Sequence, residues 1–256
     1  LETRERYEWR GVIAPADGLD AWFASYRALV LPLAEMAGAH GVERFIVGSE
    51  LGSLEVYEAR WRSLIDEVRA RFDGTVTYSA NWDRAGEVPF WDALDEVGLT
   101  AYFPLGSDVS SDGLAQAWRS PRAAMEALSV RTGKPVLVTE VGYASRRGAA
   151  ARPWDDGPRE GGLRDGLREH SHPGGGHQES APSAELDLET QKLLYRGLCD
   201  AFANTPSVSG FYVWNWFGFG GPRDTGFTPR GKPAAAELTK CFAREWPARS
   251  TAGNRS

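Results

Sequence analysis

Two glutamates stand at positions where a carboxyl group could act as an acid, a base or a nucleophile. Glu50 directly follows the run Phe45-Ile-Val-Gly-Ser49, and Glu140 directly follows Val136-Leu-Val-Thr139. A glutamate at the end of a buried strand is partly enclosed, so its pKa can be tuned for catalysis. Retaining glycoside hydrolysis needs two such groups about 5–5.5 Å apart, one as proton donor and one as nucleophile. The alternative is that each glutamate only pairs with a neighbouring arginine or caps a helix.

Aromatic residues end the same strands or their neighbours in the chain. Trp82, Tyr102, Trp214 and Trp216 all lie at the ends of apolar runs, and the chain has 10 tryptophans in 256 residues. Flat aromatic rings with one polar atom suit a cleft that stacks against sugar rings. Trp214 and Trp216 are two residues apart, so they are predicted to share one face of the last strand, with Asn215 on the other. The alternative is a core position, which we expect for at least one of the four rings.

The elements that must position these side chains alternate along the chain. Near-continuous apolar strands that alternate with amphipathic helices are typical of a parallel α/β sheet. No GxGxxG or Walker-type phosphate loop follows any predicted strand, which favours a (β/α) barrel with its active residues at the carboxyl ends of the strands. Strands are predicted near residues 44–47, 75–79, 99–103, 135–139 and 208–216; helices are predicted at 19–40 (kinked or interrupted by Pro32), after Glu50, at 112–132, 185–204 and 233–242.

Seven segments in order along the chain resemble glycoside hydrolase family 113. That family is a clan-A (β/α)8 group best known for endo-β-1,4-mannanase activity. The resemblance runs from about residue 7 to residue 243, with residues 144–184 poorly matched. The segments are Trp9-Arg-Gly-Val-Ile13, Trp22-Phe-Ala-Ser-Tyr26, Phe45-Ile-Val-Gly-Ser-Glu-Leu51, Tyr78-Ser-Ala-Asn-Trp82, Ala101-Tyr-Phe-Pro-Leu105, Gly133-Lys-Pro-Val-Leu-Val-Thr-Glu-Val-Gly-Tyr143 and Gly210-Phe-Tyr-Val-Trp-Asn-Trp-Phe217.

The resemblance implies a role for each glutamate. Glu50, after the fourth strand of such a barrel, would be the acid/base, and Glu140, on the seventh, the nucleophile. Tyr102 would hydrogen-bond the nucleophile and hold it ionised. Ser49 stands where most clan-A enzymes have an asparagine that contacts the sugar 2-hydroxyl, which leaves the partner of that hydroxyl open.

Substrate-binding residues follow from the same resemblance. Asn81 and Trp82, with Trp214 or Trp216, would line the subsite at which the sugar is attacked. Trp9 would lie in the loop after the third strand and face the cleft. The implied partner is a β-linked oligo- or polysaccharide, and neither a metal nor an organic cofactor is implied.

The resemblance also predicts how the chain is organised. Residues 1–246 are predicted to be a partial (β/α) barrel with only strands four to eight of the eight. The first three strands would precede Leu1, so we expect the sequence to be part of a longer protein. Residues 144–184 are predicted to be an inserted rim loop, mobile in part, and residues 247–256 a disordered tail.

The function implied is a retaining glycoside hydrolase that cleaves β-1,4-mannosidic bonds in mannan or manno-oligosaccharides. One alternative is a non-catalytic glycan-binding barrel of a cell-wall or phage-tail assembly. A weaker alternative is a metal-dependent hydrolase that uses the histidines of the inserted loop, which are His170, His172 and His177, with Glu169 and Glu179 beside them.

Charge and hydropathy exclude two classes of partner. The net charge of −6 gives no basic field that would attract nucleic acid. No apolar run approaches the roughly 20 residues needed to cross a bilayer, and whether the protein is cytoplasmic or secreted stays open. Cys199 and Cys241 fall in predicted helices and are expected to be reduced packing residues.

Overall fold

A computed structural model describes residues 9–155 and 185–244 of the chain. Within those residues, five strands and six α-helices follow one another. Short 3-10 turns cover Arg10–Val12, Gly52–Leu54 and Trp91–Ala93. The elements are α1 Gly18–Ala39, β1 Arg44–Ser49, α2 Glu58–Arg69, β2 Thr75–Ala80, β3 Val97–Thr100, α3 Ser111–Ala117, α4 Arg119–Thr132, β4 Val136–Val141, α5 Leu188–Ala203, β5 Val208–Val213 and α6 Pro233–Phe242.

The described residues form two compact units. The first unit consists of residues 9–100 and 132–134, and it holds α1, α2 and the strands β1, β2 and β3. Its strands are parallel: Arg44 of β1 pairs with Thr75 of β2, and Ser79 of β2 pairs with Gly98 of β3. Parallel strands are covered on both faces, and all four residues of β3 are buried.

The core of the first unit is aromatic. The ring of Trp61 on α2 stacks on Phe90 at a centroid distance of 5.5 Å and meets the edge of Tyr78 on β2 at 5.3 Å. Phe23 on α1 packs against the same tryptophan at 5.7 Å. These four side chains are fully buried, so α1 and α2 are fixed to β2 by one continuous cluster.

The second unit consists of residues 101–131, 135–155 and 185–244. Its strands β4 and β5 are parallel, with Val136 opposite Val208 and Val138 opposite Phe211. The helices α5 and α6 pack against each other, and buried aromatic residues fill the core, among them Trp118, Tyr143, Tyr195 and Phe202.

Several helices and strands begin or end at residues other than those predicted. Helix α1 continues through Pro32 for 22 residues, so the predicted interruption does not occur. The predicted helix at 112–132 is two helices, α3 and α4, that meet at Trp118. β3 ends at Thr100, which places Tyr102 beyond the strand.

The prediction that Trp214 and Trp216 share one face of the last strand is wrong. β5 ends at Val213, and the chain leaves the strand with a cis peptide bond between Trp214 and Asn215. Strand alternation therefore does not apply to these residues. Apolar character continues past the strand because the following loop is itself aromatic.

The prediction that the two cysteines are reduced is also wrong. Cys199 on α5 and Cys241 on α6 form a disulfide bond, with their Cα atoms 5.7 Å apart. Their 42-residue separation gives no local sign of pairing. The packing of α5 on α6 brings the two Cα atoms within the range of 4.4–6.8 Å that a disulfide usually spans.

The start of the predicted rim loop is well packed in the second unit. Ala144, Ser145 and Arg146 are buried, and Arg146 forms an isolated antiparallel bridge with Leu186. The rest of that loop, with its predicted mobility and its histidines, lies outside the described residues, as does the predicted tail at 247–256.

Two features are absent from the described residues that other kinds of ligand or location would require. Among residues 9–155 and 185–244, no group of His, Cys, Asp and Glu side chains is placed to hold a metal ion. In the same part of the chain, no helix combines the length and the apolar character needed to cross a membrane.

Candidate active site

Glu50 follows directly after β1 in an unusual backbone conformation. Its φ angle is +52°, in the left-handed region that non-glycine residues rarely adopt. Its amide donates a hydrogen bond to the carbonyl oxygen of Ser79 at 2.8 Å. A left-handed non-glycine residue costs on the order of 1–3 kcal/mol and persists only where its surroundings hold it. The surrounding structure therefore holds the backbone of Glu50 in this conformation, which fixes the direction in which its side chain points from the end of β1.

Three side chains of the first unit contact the Glu50 carboxylate, which is only 8% exposed as a residue. Arg10 donates to Oε2 at 3.0 Å, and the indole of Trp9 approaches the same oxygen at 3.5 Å. The hydroxyl of Thr100, at the end of β3, donates to Oε1 at 2.7 Å. Both carboxylate oxygens are thus held by donors.

Arg10 and Thr100 were missed by the sequence analysis. Arg10 stands inside the segment Trp9-Arg-Gly-Val-Ile13, and Thr100 is the last residue of β3. The sequence offered no signal for either residue, since Arg10 lies in a 3-10 turn before β1 and Thr100 lay inside the predicted strand at 99–103. The alternative prediction, that Glu50 only pairs with a neighbouring arginine, also agrees with the Arg10 contact. The ion pair alone therefore does not distinguish a catalytic glutamate from a structural one.

Asn81 lies just after β2, and its side chain has an unmet hydrogen-bonding atom. It is 3% exposed, and its Nδ2 has no hydrogen-bond partner among the described residues. Its carbonyl oxygen accepts from the amides of Arg84 and Ala85, which turns the chain away from the strand. A buried amide group without a partner is costly, and it is suited to a ligand hydroxyl. The adjacent Trp82 is partly exposed.

Glu140 lies within β4, one residue before its end. The hydroxyl of Tyr102 donates to Oε1 of Glu140 at 2.5 Å, and the amide of Ala101 donates to the Glu140 carbonyl oxygen at 2.7 Å. The ring of Tyr102 meets the edge of Phe227 at a centroid distance of 6.4 Å. The half-buried Glu140 therefore has both its backbone and its carboxyl group tied to the segment after β3.

The backbone of Trp214 passes very close to Gly142. The amide of Trp214 donates to Val141 at 2.8 Å, and a Cβ atom on Gly142 would lie 1.8 Å from the carbonyl oxygen of Trp214. Glycine is required there because nothing larger fits. Past this contact the rings of Trp214 and Trp216 are 45% and 56% exposed.

A buried lysine holds the long segment between β5 and α6. The Lys232 ammonium donates at 2.8 Å to each of Ser145 Oγ, Asp224 Oδ1 and the Gly226 carbonyl oxygen. Burial lowers the pKa of Lys232, and the contact with Asp224 opposes that change. Gln191 on α5 adds donations to the carbonyl oxygens of Tyr143 and Phe227. None of these residues was predicted from the sequence to be a site residue.

The predicted site residues divide between the two units. The structure brings Trp9 to Glu50 in the first unit and Tyr102 to Glu140 in the second. The remaining residues follow strands: Asn81 and Trp82 in the first unit, Trp214 and Trp216 in the second.

Carboxyl groups at or near the carboxyl ends of parallel strands are the arrangement that a barrel-type glycoside hydrolase needs. The sequence model of Glycoside Hydrolase Family 113 matches residues 8–161, and the chain belongs to this family. The prediction that the chain is a glycoside hydrolase enzyme is therefore confirmed.

Solved structures of the same family resemble the chain over most of its length. A structure titled as a complex of a GH113 β-1,4-mannanase has a TM-score of 0.74 and 25% identity, and the match covers 93% of this chain and 70% of that one. The GH113 β-mannanase AaManA from Alicyclobacillus acidocaldarius, in complex with ManMIm, has a TM-score of 0.73 and 29% identity over 94% of this chain and 70% of its own. A comparison with curated protein sequences finds no match.

More distant structures share the fold alone. The Faecalibacterium prausnitzii β-glucuronidase has a TM-score of 0.58 and 17% identity over 86% of this chain and 35% of its own. Together with the mannanases, it confirms the predicted fold class, an α/β chain that matches part of a (β/α)8 barrel.

Proposed function

We propose that this glycoside hydrolase cleaves β-1,4-mannosidic bonds in mannan or manno-oligosaccharides by double displacement, with retention of configuration. The observation that carries the proposal is the similarity to GH113 β-1,4-mannanases over 93–94% of the chain. The contacts of Glu50 and Glu140 within their own units support the assignment of chemical roles.

Glu140 is the nucleophile in this proposal. A carboxylate attacks the anomeric carbon and forms a glycosyl-enzyme that water later hydrolyses. The Tyr102 hydroxyl, 2.5 Å from Oε1, stabilises the negative charge and orients the carboxylate.

Glu50 is the acid/base. It protonates the leaving oxygen in the first step and then, as a carboxylate, accepts a proton from the attacking water. Arg10 and Thr100 favour a single orientation of the carboxyl group, since each donates to a different oxygen. An acid that is already oriented avoids an entropy cost in the transition state.

Sugar binding is assigned to residues that follow the strands. The buried Nδ2 of Asn81, which has no partner among the described residues, is suited to a substrate hydroxyl. Trp9, Trp82, Trp214 and Trp216 supply rings for stacking against sugar faces. Stacking on such a ring gives a sugar apolar contact, and a hydroxyl that reaches the Asn81 amide gives it a hydrogen bond.

Chemical rescue tests the proposal. Glu140→Ala should abolish turnover of an aryl β-mannoside with an activated leaving group, and azide should restore part of it with an α-mannosyl azide as product. Glu50→Ala with azide should instead give the β-mannosyl azide, because the covalent intermediate still forms. Glu126→Ala, at an exposed position on α4, is the matched control.

Near-normal turnover of Glu140→Ala would remove the proposal. Binding of mannan by the unmodified protein without release of reducing sugar would instead favour the glycan-binding alternative. Faster cleavage of a substrate other than a β-mannoside under the same conditions would overturn the substrate assignment. The configuration of the azide products would still test the retaining mechanism.

A further inference from the structure

We infer that Glu55 is a positioning residue for Glu50, acting through the hydroxyl of Tyr78 on the backbone that follows the acid/base. The inference rests on the proposed role of Glu50. It concerns residues of the first unit only, and it assigns to Glu55 a part in the reaction without contact with the substrate.

Glu55 is a buried carboxyl group in the turn after β1, with 2% of its surface exposed. Its Oε1 accepts a hydrogen bond from the hydroxyl of Tyr78 at 2.9 Å, and its Oε2 contacts Nε of Arg84 at 3.3 Å. Burial raises the pKa of Glu55, and the contacts with Tyr78 and Arg84 oppose that rise. Burial of a carboxyl group is costly unless the group is hydrogen-bonded, and the contacts with Tyr78 and Arg84 supply those bonds.

The Tyr78 hydroxyl connects Glu55 to the backbone beside Glu50. It accepts a hydrogen bond from the amide of Leu51 at 2.8 Å while it donates to Glu55. A hydroxyl has one proton. Because the hydroxyl donates that proton in its hydrogen bond to Glu55, the lone pairs of the oxygen are directed to Leu51. Without the Glu55 acceptor, the hydroxyl is free to rotate and the bond to Leu51 weakens.

The bond to Leu51 matters because of the conformation of Glu50. The left-handed residue is held on both sides: its own amide bonds to Ser79 at 2.8 Å, and the next amide bonds to Tyr78 at 2.8 Å. Both anchors lie on β2. A left-handed residue held at only one side can relax toward ordinary φ values. Such a relaxation would turn the carboxyl group away from Arg10 and Thr100.

A purely structural role for Glu55 makes a different prediction. A buried polar cluster that only stabilises the fold would, when weakened, change stability and reduce the activity on all substrates alike. A cluster that orients the acid/base affects only those steps that need proton transfer by Glu50. Leaving groups of different acidity separate the two.

The experiment compares two β-mannosides in variants of the full chain. One substrate has an activated dinitrophenyl leaving group, which departs without a proton, and the other is a manno-oligosaccharide, whose leaving alcohol needs one. Glu55→Ala and Tyr78→Phe should lower kcat/KM for the oligosaccharide at least about tenfold more than for the dinitrophenyl substrate. Glu55→Gln keeps an oxygen acceptor for Tyr78, so its effect should be smaller.

The controls separate a failure of the inference from a failure of the proposed function. Glu87→Gln removes an exposed carboxylate partner of Arg84 and should leave kcat/KM unchanged for both substrates. Glu50→Ala should show the same leaving-group selectivity in a stronger form. If Glu50→Ala is selective but the Glu55 and Tyr78 variants reduce both substrates equally or not at all, the inference is overturned alone. If Glu50→Ala lowers kcat/KM equally for the two substrates, the assignment of Glu50 as the acid/base is wrong, and the inference about Glu55 is wrong with it.

Discussion

Tyr102 is the residue whose hydroxyl makes the shortest contact with a proposed catalytic carboxylate, 2.5 Å from Glu140 Oε1. Tyr102→Phe removes that donor and leaves the ring in place. A hydrogen bond to a charged group contributes about 1.5–3 kcal/mol, so kcat/KM for manno-oligosaccharide should fall roughly 10- to 100-fold. The measurement is steady-state hydrolysis at several pH values. Tyr57→Phe, with a partly exposed ring, is the control. Equal activity of the two variants would contradict the role of Tyr102.

Gly142 permits the closest backbone approach near the proposed nucleophile. In Gly142→Ala the added Cβ atom would lie 1.8 Å from the Trp214 carbonyl oxygen, so the segment after β5 must move. We expect lower activity together with a lower thermal unfolding temperature. Gly210→Ala is the matched control on β5, where the added Cβ atom meets only Leu137 Cδ1, at 3.8 Å. An active and stable Gly142→Ala enzyme would show that the approach can relax at no cost.

Residue types and their neighbours in sequence made Glu50 and Glu140 visible as candidates. Both follow apolar runs, a pattern that an ordinary solvated glutamate does not show. Arg10, Thr100 and Glu55 could not be found in that way. Their contacts depend on which strand ends and turns meet in space, and one sequence gives no register between strands.

At the scale of elements, Lys232 holds the segment between β5 and α6 from a fully buried position. Lys232→Met leaves Asp224 without its cation and removes three donated hydrogen bonds. Removing one partner of a buried ion pair costs about 3–5 kcal/mol; because Asp224 is partly exposed, the lower end is expected. Urea unfolding measures the loss. Lys240→Met removes an exposed lysine from an ion pair on α6 whose carboxylate, Glu237, still pairs with Arg196, and it should cost under about 1 kcal/mol. Equal losses of unfolding free energy in the two variants would contradict a stabilising role for the buried Lys232.

The disulfide between α5 and α6 is the second tie at this scale. It closes a 42-residue separation, and the chain-entropy model assigns about 4 kcal/mol to a loop of that size. Dithiothreitol should therefore lower the urea midpoint of the unmodified protein. The double variant Cys199→Ser, Cys241→Ser should start from the lower midpoint and not respond to dithiothreitol. An unmodified protein that keeps its midpoint in dithiothreitol would contradict this contribution.

Strands were predicted better at their beginnings than at their ends. β1, β2, β4 and β5 begin within one residue of the predicted positions. β5 ends three residues before the predicted end, at Val213, because the aromatic residues Trp214 and Trp216 continue the apolar pattern. Hydropathy cannot distinguish a ring that fills the core from a ring exposed for stacking, so it overstates strand length at such an edge.

At the scale of the whole molecule, the fold class could be predicted because it depends on a repeated pattern. Apolar strands alternate with amphipathic helices, and the absence of phosphate-loop motifs favoured a barrel over a nucleotide-binding sheet. The resemblance to family 113 is likewise spread over many segments, and the family match over residues 8–161 includes all of them except the segment at 210–217. The Cys199–Cys241 pair is a single long-range contact, and such a contact has no periodicity to reveal it.

The unequal burial of the tryptophans makes the protein report on its own ligand by fluorescence. Trp61 and Trp118 are at most 1% exposed, while Trp214 and Trp216 are about half exposed. A collisional quencher such as acrylamide should reach the second group and not the first. If manno-oligosaccharides stack on the exposed rings, saturating ligand should shrink the quenchable fraction of the emission, and Trp216→Ala should reduce that protection. If saturating ligand leaves the quenchable fraction unchanged, neither Trp214 nor Trp216 belongs to the binding surface.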